Sequence, residues 1–313
     1  MKIYYLAPKP TLEPNNKKRL KGLGSLICLP IKEVNEHEVI DKIQDAEILL
    51  ISPKAVQKLT SHFFSSLPNL KHLALLSSGY DWIDVASAVQ NHVSVSHCIG
   101  ANAVSVVEHT WGLILSLSKR ITEFDRDLHV SKEKVSKQYE GIELQGKTIG
   151  ILGTGHIGTL VAKIGKSFSM RVLAYNKHGQ INEHFDQNTD IKTLLEESDV
   201  ITIHLPLNRE TMNFIDAKKL KHTKTGVIII NTARESIVDK NAIIQTLKNG
   251  KIFGYGVDVE KLEKNDPYLN IPNVIVNIHN AFNTKEAKQK MQNLAIDNIE
   301  AFIKGKSINL VNL

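Results

Sequence analysis

Residues Lys147–Ser167 read KTIGILGTGHIGTLVAKIGKS. A short apolar run (Ile149, Ile151, Leu152) enters a glycine turn, and helix-spaced Ile157, Leu160, Val161 and Ile164 follow it. The turn itself is Gly153-Thr154-Gly155-His156-Ile157-Gly158, a G-x-G-x-x-G pattern between a strand and a helix. There each glycine has a mechanical role. Gly153 permits the tight turn, Gly155 lets backbone approach a pyrophosphate, and Gly158 lets the helix pack closely on the sheet. The first N–H groups of the helix, at the positive end of its dipole, then face the phosphates. With 18 glycines in the chain the pattern could arise by accident, so the strand–turn–helix context carries the expectation of a dinucleotide site.

Beyond Ser167 the alternation continues. Strands are expected at Arg171–Asn176, Val200–Leu205, Val227–Thr232, Gly256–Val259 and Val274–Ile278, with helices between them. One of these helices, Asn241–Lys248, is closed by Asn249-Gly250. The first hundred residues show the same rhythm. Short Ile/Leu/Val-rich runs at Ile3–Ala7, Ser25–Leu29, Glu47–Ser52, Leu70–Ser77 and Val93–His97 alternate with helical spacings such as Val39, Ile40, Ile43 and Ala46. Pro14-Asn15 and Pro68-Asn69 punctuate the boundaries. Alternating strands and helices imply parallel sheets wound on both sides. Because the glycine motif is absent from this first stretch, it is a separate domain. The fold class is α/β, with two doubly wound parallel-sheet domains.

Two helices stand out. Ala101–Lys119 carries one stripe of Val104, Val107, Trp111 and Leu115 and another of Val106, Leu113 and Leu117. A helix apolar on two faces must be covered on both, so it is expected between the domains and against a second subunit. Lys285–Lys304 places Ala287, Met291, Leu294, Ala295, Asn298 and Phe302 on one face and is expected to cross back to the first domain. Asp125–Gly146 reads as a polar surface connector.

The 313 residues, 42% hydrophobic and 23% charged, suit a globular protein with two cores. No run approaches the length of a membrane span, and MKIYYLAPKP lacks the apolar core and cleavage site of a secretion signal, so a cytoplasmic protein is expected. Cys28 and Cys98 lie in apolar strand-like runs and are expected to be buried free thiols. The net charge of +6 is dispersed. Its densest cluster, Asn16-Lys17-Lys18-Arg19-Leu20-Lys21, reads as a solvated helix face with no base-reading platform beside it, so no nucleic-acid partner is expected. No metal site is expected.

Open α/β sheets bind ligands beyond the carboxyl ends of their strands. After the second strand of the glycine-bearing domain, 18 residues beyond Gly158, stands Asn176, followed by Lys177 and His178. A carboxylate there would accept the ribose hydroxyls and repel a 2′-phosphate. Asn176 does not repel it and Lys177 could attract it, so NAD and NADP both stay open. After later strands come Asn231-Thr232-Ala233-Arg234-Glu235, then Asp258 with Glu263 five residues on, then His279. An arginine fork suits a carboxylate and its neighbouring carbonyl. A histidine can hand a proton to a carbonyl that gains hydride, and a carboxylate beside it favours the imidazolium. Glu260 and Asp266 share the acidic loop with Glu263.

These stretches together resemble the D-isomer-specific 2-hydroxyacid dehydrogenase family. The resemblance rests on ILGTGHIGTLVAKIGKSFSMRVLAYN, HLPLNRETMNFID, INTARESIVDKNAIIQTLKNGKIFGYGVDVE and NIPNVIVNIHNAF, and earlier on SSGYDWID and GANAVSVVEHT, in the family's order from about Leu70 to Phe282. It implies a flavodoxin-like substrate domain, residues 1–100 plus 284–313, with a Rossmann coenzyme domain, residues 101–283, inserted into it. It also implies a homodimer built largely through Ala101–Lys119. The implied reaction is hydride transfer between a nicotinamide, NAD or NADP, and a small anionic 2-keto or 2-hydroxy acid, glyoxylate and hydroxypyruvate among them.

Carried over by position, Arg234 would bind the 2-keto acid, His279 would be the proton donor and acceptor, and Glu263 would pair with His279. Asp258 would orient the nicotinamide carboxamide. Ser78 and Gly79 would offer backbone N–H groups to the substrate carboxylate, and Asn102 would line the cleft mouth. The coenzyme would be held by Gly153, Thr154, Gly155, His156, Ile157 and Gly158, by Asn176 and Lys177, by His204, Pro206 and Thr211, by Thr232 and Ala233, and by Asp258 and His279.

The sequence departs from the family pattern at Glu235, where glycine is usual after the arginine, at Asn280-Ala281 in place of a small apolar pair, and at Asn176 in place of aspartate. Ser52-Pro53-Lys54 lacks the arginine of phosphoglycerate-specific relatives. Two rival readings stay open. One is a catalytically weak NAD(H)-sensing binding protein on the same fold, kept alive by Glu235. The other is a formate-type dehydrogenase, suggested by ANAVSVVEH, which would need a different partner for the histidine.

Overall fold

The computed structural model describes residues 1–131, 139–179 and 181–311. The chain divides into two units, residues 1–102 with 284–313, and residues 103–283. The division falls after Asn102, slightly beyond the expected residue 100.

In the first unit β1 (Lys2–Ala7), α1 (Pro14–Leu23), β2 (Ser25–Pro30), α2 (Glu36–Ile40), β3 (Ile48–Ile51), α3 (Ser61–Ser65), β4 (His72–Leu75), α4 (Val85–Gln90) and β5 (Ser94–Ser96) alternate. All five strands pair in parallel in the order β2-β1-β3-β4-β5, the flavodoxin-like winding. β3 (ILLI) and β4 (HLAL) are buried at every position, as central strands covered on both faces must be.

Then follow α5 (Ala103–Ser118), α6 (Ile121–Ser131), β6 (Thr148–Leu152), α7 (His156–Ser167), β7 (Arg171–Tyr175), β8 (Gln187–Asn188), α8 (Ile191–Glu197), β9 (Val200–Ile203), α9 (Ala217–Lys221), β10 (Val227–Asn231), α10 (Lys240–Lys248), β11 (Ile252–Val259) and β12 (Val274–Ile278), all in the second unit. α11 (Lys285–Ile303) belongs to the first. The second sheet runs β12-β11-β10-β9-β6-β7-β8, again all parallel. Counted from β6 this is the dinucleotide-binding order 3-2-1-4-5-6 with one strand added, and the winding reverses between β6 and β9. A ligand is expected beyond the carboxyl ends of those two strands.

Several expectations change in three dimensions. The helix read through Ala46 stops at Ile40, because Lys42 and Ile43 close three-residue turns onto Val39 and Ile40. Ile43 and Ala46 nevertheless stay fully buried. The cluster Asn16–Lys21 is not simply solvated. α1 docks on α11, Asn16 is buried and donates to Asn293 Oδ1 (2.7 Å), and Arg19 pairs with Asp297 (2.6 Å) and Glu300 (2.8 Å). Cys28 is exposed because β2 is an edge strand, while Cys98 is buried; both are free. The connector expected from Asp125 begins as helix α6, and residues 132–138 of it lie outside the described residues. β11 starts at Ile252, ahead of the expected Gly256. Its glycines make room for α5, since a Cβ on Gly254 would meet Leu117 Cδ2 at 2.7 Å and one on Gly256 would meet Leu113 Cβ at 3.1 Å. Among the described residues, no helix is long and apolar enough to cross a membrane.

His72, fully buried on β4, sits between Ser94 Oγ (2.7 Å from Nδ1) and Ser96 Oγ (3.0 Å from Nε2) and stacks on Phe302 of α11. Burial pushes its pKa from 6.5 down to about 3. The folded state therefore binds the proton less well than the unfolded chain. Stability of this unit is full above about pH 6.5 and falls as pH drops toward 3, by up to about 1.4 kcal/mol per pH unit. Melting temperatures of wild type and His72→Gln between pH 4.5 and 7.5 check this: the wild type should lose stability more steeply, and parallel curves would refute the assignment.

Candidate active site

The coenzyme end of the second unit is built at the winding reversal. Gly153 leaves β6 with φ +97, and a Cβ there would lie 2.7 Å from His204 O. Gly158 crosses so close behind it that a Cβ would meet Gly153 O at 2.0 Å. Gly155 differs from both. Its φ of −71 suits any residue, and nothing lies within 4 Å of the Cβ position. It caps α7 with no side chain of its own, so no cap hydrogen bond takes the first amides of that 12-residue helix. Among the described residues no contact requires glycine here; a phosphate brought against those amides would.

The space at Gly155 belongs to a cavity of about 650 Å³, a size that accommodates a nucleotide. Of the expected coenzyme residues, Gly153, Thr154, Gly155, Asn176, Lys177, His204, Pro206 and Thr211 line it. Tyr175 and Phe214, unassigned by sequence, add an apolar wall. Burial holds the His204 ring far below its usual pKa, hence neutral, and its Nε2 is buried without a partner. The uncapped amides and this orphaned nitrogen fit the polar groups of a dinucleotide. Asn176 Nδ2 donates to Thr154 Oγ1, and Asn176 Oδ1 accepts from His178 N at 2.8 Å. Lys177 reaches Glu210, 2.8 Å away, so the expected cation at the ribose end is already partnered.

His156, Ile157 and Gly158 open α7, and Thr232, Ala233, Arg234, Asp258, Glu263 and His279 lie at or after the ends of β10, β11 and β12. Asn231, buried at the last position of β10, closes the following turn by donating to Arg234 O (2.9 Å) and accepting from Ala233 N (3.1 Å). The Thr232 hydroxyl is drawn against Thr110 Oγ1 of α5 at 2.9 Å. Arg234 Nε lies 3.2 Å from Glu260 Oε1, so Glu260 of this loop pairs with the arginine. Glu263 is exposed three residues further on.

His279 follows β12 directly. Its N–H prolongs the ladder to Val259 O (2.8 Å), its φ of +42 turns the chain sharply, and its ring meets Phe282 edge-on. Asp258, buried on β11, holds that turn, taking the N–H of Asn280 on Oδ1 (2.8 Å) and of Ala281 on Oδ2 (2.9 Å). A role for Asp258 in placing the histidine was not foreseen from the sequence. A non-glycine residue in the left-handed region, held by a buried carboxylate, is the kind of strain that collects at working sites.

In the first unit, Ser78 and Gly79 follow β4. Ser78 Oγ lies 2.6 Å from Cys98 O and 2.9 Å from Asn102 Oδ1, and Ser77 Oγ and Trp82 Nε1 both donate to Gly79 O. Among the described residues, no hydrogen bond within the chain takes the N–H of Ser78 or Gly79.

Residues 111–281 match the family described as D-isomer specific 2-hydroxyacid dehydrogenase, NAD binding domain. The chain belongs to this family. A glyoxylate reductase from Thermofilum pendens is 36% identical over 286 residues, spanning 87% of this chain and 83% of that protein. A glycerate dehydrogenase from Methylorubrum extorquens is 36% identical over 284 residues, spanning 88% of each. Among solved structures, an acyclic imino acid reductase in complex with NADPH and D-Arg superposes with a TM-score of 0.93 at 28% identity, over 99% of this chain and 100% of that one.

The dehydrogenase is thus an NAD(P)-dependent oxidoreductase acting on CH–OH donors. Its departures from the family pattern now have locations. Glu235 opens a 3-10 turn, Glu235–Ile237, and pairs with Lys240 at 3.0 Å. Asn280 Oδ1 accepts from Asn283 Nδ2 (2.7 Å), while Ala281 O accepts from Ser105 Oγ (2.7 Å), so the unusual pair anchors the segment after the histidine.

Proposed function

We propose that the dehydrogenase reduces a short 2-keto acid of the glyoxylate or hydroxypyruvate kind, with Arg234 binding the substrate, His279 supplying the proton and Glu263 supporting the imidazolium. The observation that carries this reading is the convergence of Arg234, the Glu260–Glu263 loop and His279 on three neighbouring strand ends, with buried Asp258 fixing the histidine turn. The arginine fork engages the carboxylate and the keto oxygen, and polarises the carbonyl. A bound nicotinamide supplies the hydride that the keto carbon receives. His279, as imidazolium, gives its proton to the oxygen as charge builds there. Reduction therefore needs His279 protonated, the form that the role proposed for Glu263 would favour. Ser78 and Gly79, with their N–H groups untaken, are the further donors assigned to the substrate carboxylate, and Asn102 is assigned to substrate binding with them. The names of the two relatives support the short-acid choice. Exposed Val104 on α5 supports a homodimer, and free Cys28 and Cys98 support a reducing cytoplasm.

The test is a spectrophotometric assay with NADH and NADPH in parallel on glyoxylate, hydroxypyruvate, pyruvate, phenylpyruvate and branched 2-keto acids. Turnover fastest on the two short acids supports the reading. Tight coenzyme binding without turnover on any acid would replace it with the sensor.

Coenzyme choice turns on Asn176. With no carboxylate at position 176, the repulsion that an aspartate there would direct at a 2′-phosphate is missing, and both coenzymes are expected to bind. Asn176→Asp should weaken NADPH relative to NADH by about tenfold, read by nucleotide fluorescence titration. An unchanged ratio would remove the ribose from Asn176.

A further inference from the structure

Glu235, which opens the turn after Arg234, ends in an ion cluster. Its Oε1 lies 3.0 Å from Lys240 Nζ, and the same ammonium donates to Asp266 Oδ2 at 2.6 Å. Lys240 is the first residue of α10, and its charge also sits 4.6 Å over the ring of buried Tyr268. Asp266, only 4% exposed, takes the Tyr268 N–H on its other oxygen (3.0 Å), and its own N–H donates to Glu263 O (3.0 Å). The ammonium therefore joins two loops from neighbouring strands. Arg234 is one residue from the first acid, and Glu263 is one backbone hydrogen bond from the second.

A surface lysine paired with one acid would constrain neither loop. Here the span between the loops is set by the reach of a single ammonium held from both sides and seated on an aromatic ring. Burial works against the charge on Lys240, but the two carboxylates outweigh it and its pKa is raised, so the link stays charged. Without Lys240, Asp266 would be a buried carboxylate without its cation, and the Glu263 loop would move to hydrate it.

We propose that Lys240 is a positioning residue for the reaction, holding the Arg234 turn and the Glu263 loop at one spacing so that both meet the same substrate. This rests on the roles assigned to Arg234 and Glu263 above. It also gives Glu235 a purpose: the acid at the glycine position is the hook for Lys240.

The test compares Lys240→Met and Lys240→Arg with Arg234→Ala and Glu263→Gln, by steady-state kinetics on the best keto acid, kcat against pH, NADH affinity and melting temperature. Lys240→Met is expected to raise KM and lower kcat by about tenfold each, with NADH affinity held within about twofold. The alkaline limb of its kcat profile should move to lower pH as the Glu263 loop drifts, and Lys240→Arg should restore most of the loss. If Lys240→Met does not fold, Glu235→Gln, which keeps the Lys240–Asp266 pair, reads the Arg234 side alone and should raise KM with the pH limb in place. A lower melting temperature with unmoved kinetics in the folded variant would overturn the proposal. If Arg234→Ala and Glu263→Gln are impaired while Lys240→Met is not, the positioning role alone falls. If they too are silent, the functional reading falls with it.

Discussion

His279→Ala is expected to lower kcat by at least about 10²-fold while leaving NADH affinity within about twofold. The position of the imidazole is set by the backbone: the N–H bond to Val259 O, the left-handed φ of +42, and Asp258 gripping the next two amides. None of these depends on the ring, so its removal deletes the proton donor and leaves the turn standing. The coenzyme cavity is lined by other strand ends, with Gly153 and His204 the nearest expected residues to the winding reversal, so nucleotide binding should persist. His279→Asn is the companion variant, because asparagine tolerates the left-handed region and keeps a polar group there without a transferable proton. Turnover within a few-fold of wild type in either variant would remove His279 from the chemistry. In the wild type, the rate of reduction should fall on the alkaline side as His279 loses its proton.

Gly155→Val is expected to weaken NAD(P)H binding by about 10²-fold or more, about 2.7 kcal/mol, with only a small change in the stability of the free protein. The asymmetry follows from the geometry. A Cβ at Gly155 meets no described protein atom beyond its chain neighbours within 4 Å and needs no unusual backbone. Its stability cost is limited to replacing glycine at a helix N-cap, about 1 kcal/mol. A bound phosphate, however, must approach the α7 amides through the space that the valine would fill. Gly158→Ala is the contrasting control. Its Cβ would lie 2.0 Å from the carbonyl oxygen of Gly153, a backbone atom that cannot swing aside, so that variant should unfold at lower temperature. Thermal melts and fluorescence titration separate the two outcomes. Unchanged coenzyme affinity in Gly155→Val would mean that phosphate does not sit at this helix.

Most strands were legible because parallel strands covered on both faces must be nearly continuous Ile, Val and Leu, as at Ile48–Ile51 and Val227–Ile230. β8 was not, since Gln187–Asn188 is a two-residue polar edge with no apolar run to betray it. Nor was the start of β11, where Gly254 and Gly256 look like a turn and instead admit α5. At the site, the glycine turn was readable because its spacing is enforced by local contacts. Arg234 and His279 could be singled out because each follows a strand, whereas Glu263 was assigned through the family resemblance. The Glu260–Arg234 pair could not be chosen over its neighbours, because three acids, Glu260, Glu263 and Asp266, share one loop and their directions are fixed only by folding.

The sequence by itself determined the two alternating α/β units, the glycine-turn coenzyme motif and the set of residue types at the strand ends. These depend on periodicity and on neighbours close along the chain. The tertiary structure alone decided which acid meets which base. Glu260 goes to Arg234, Glu235 and Asp266 go to Lys240, Glu210 goes to Lys177, and Asp258 goes to the backbone that carries His279. The physical reason is range. A hydrogen-bonded carboxylate selects its partner within about 3 Å, and, the local Glu235–Lys240 pair apart, these partners stand tens of positions from one another in the chain and are brought that close only by the parallel sheet.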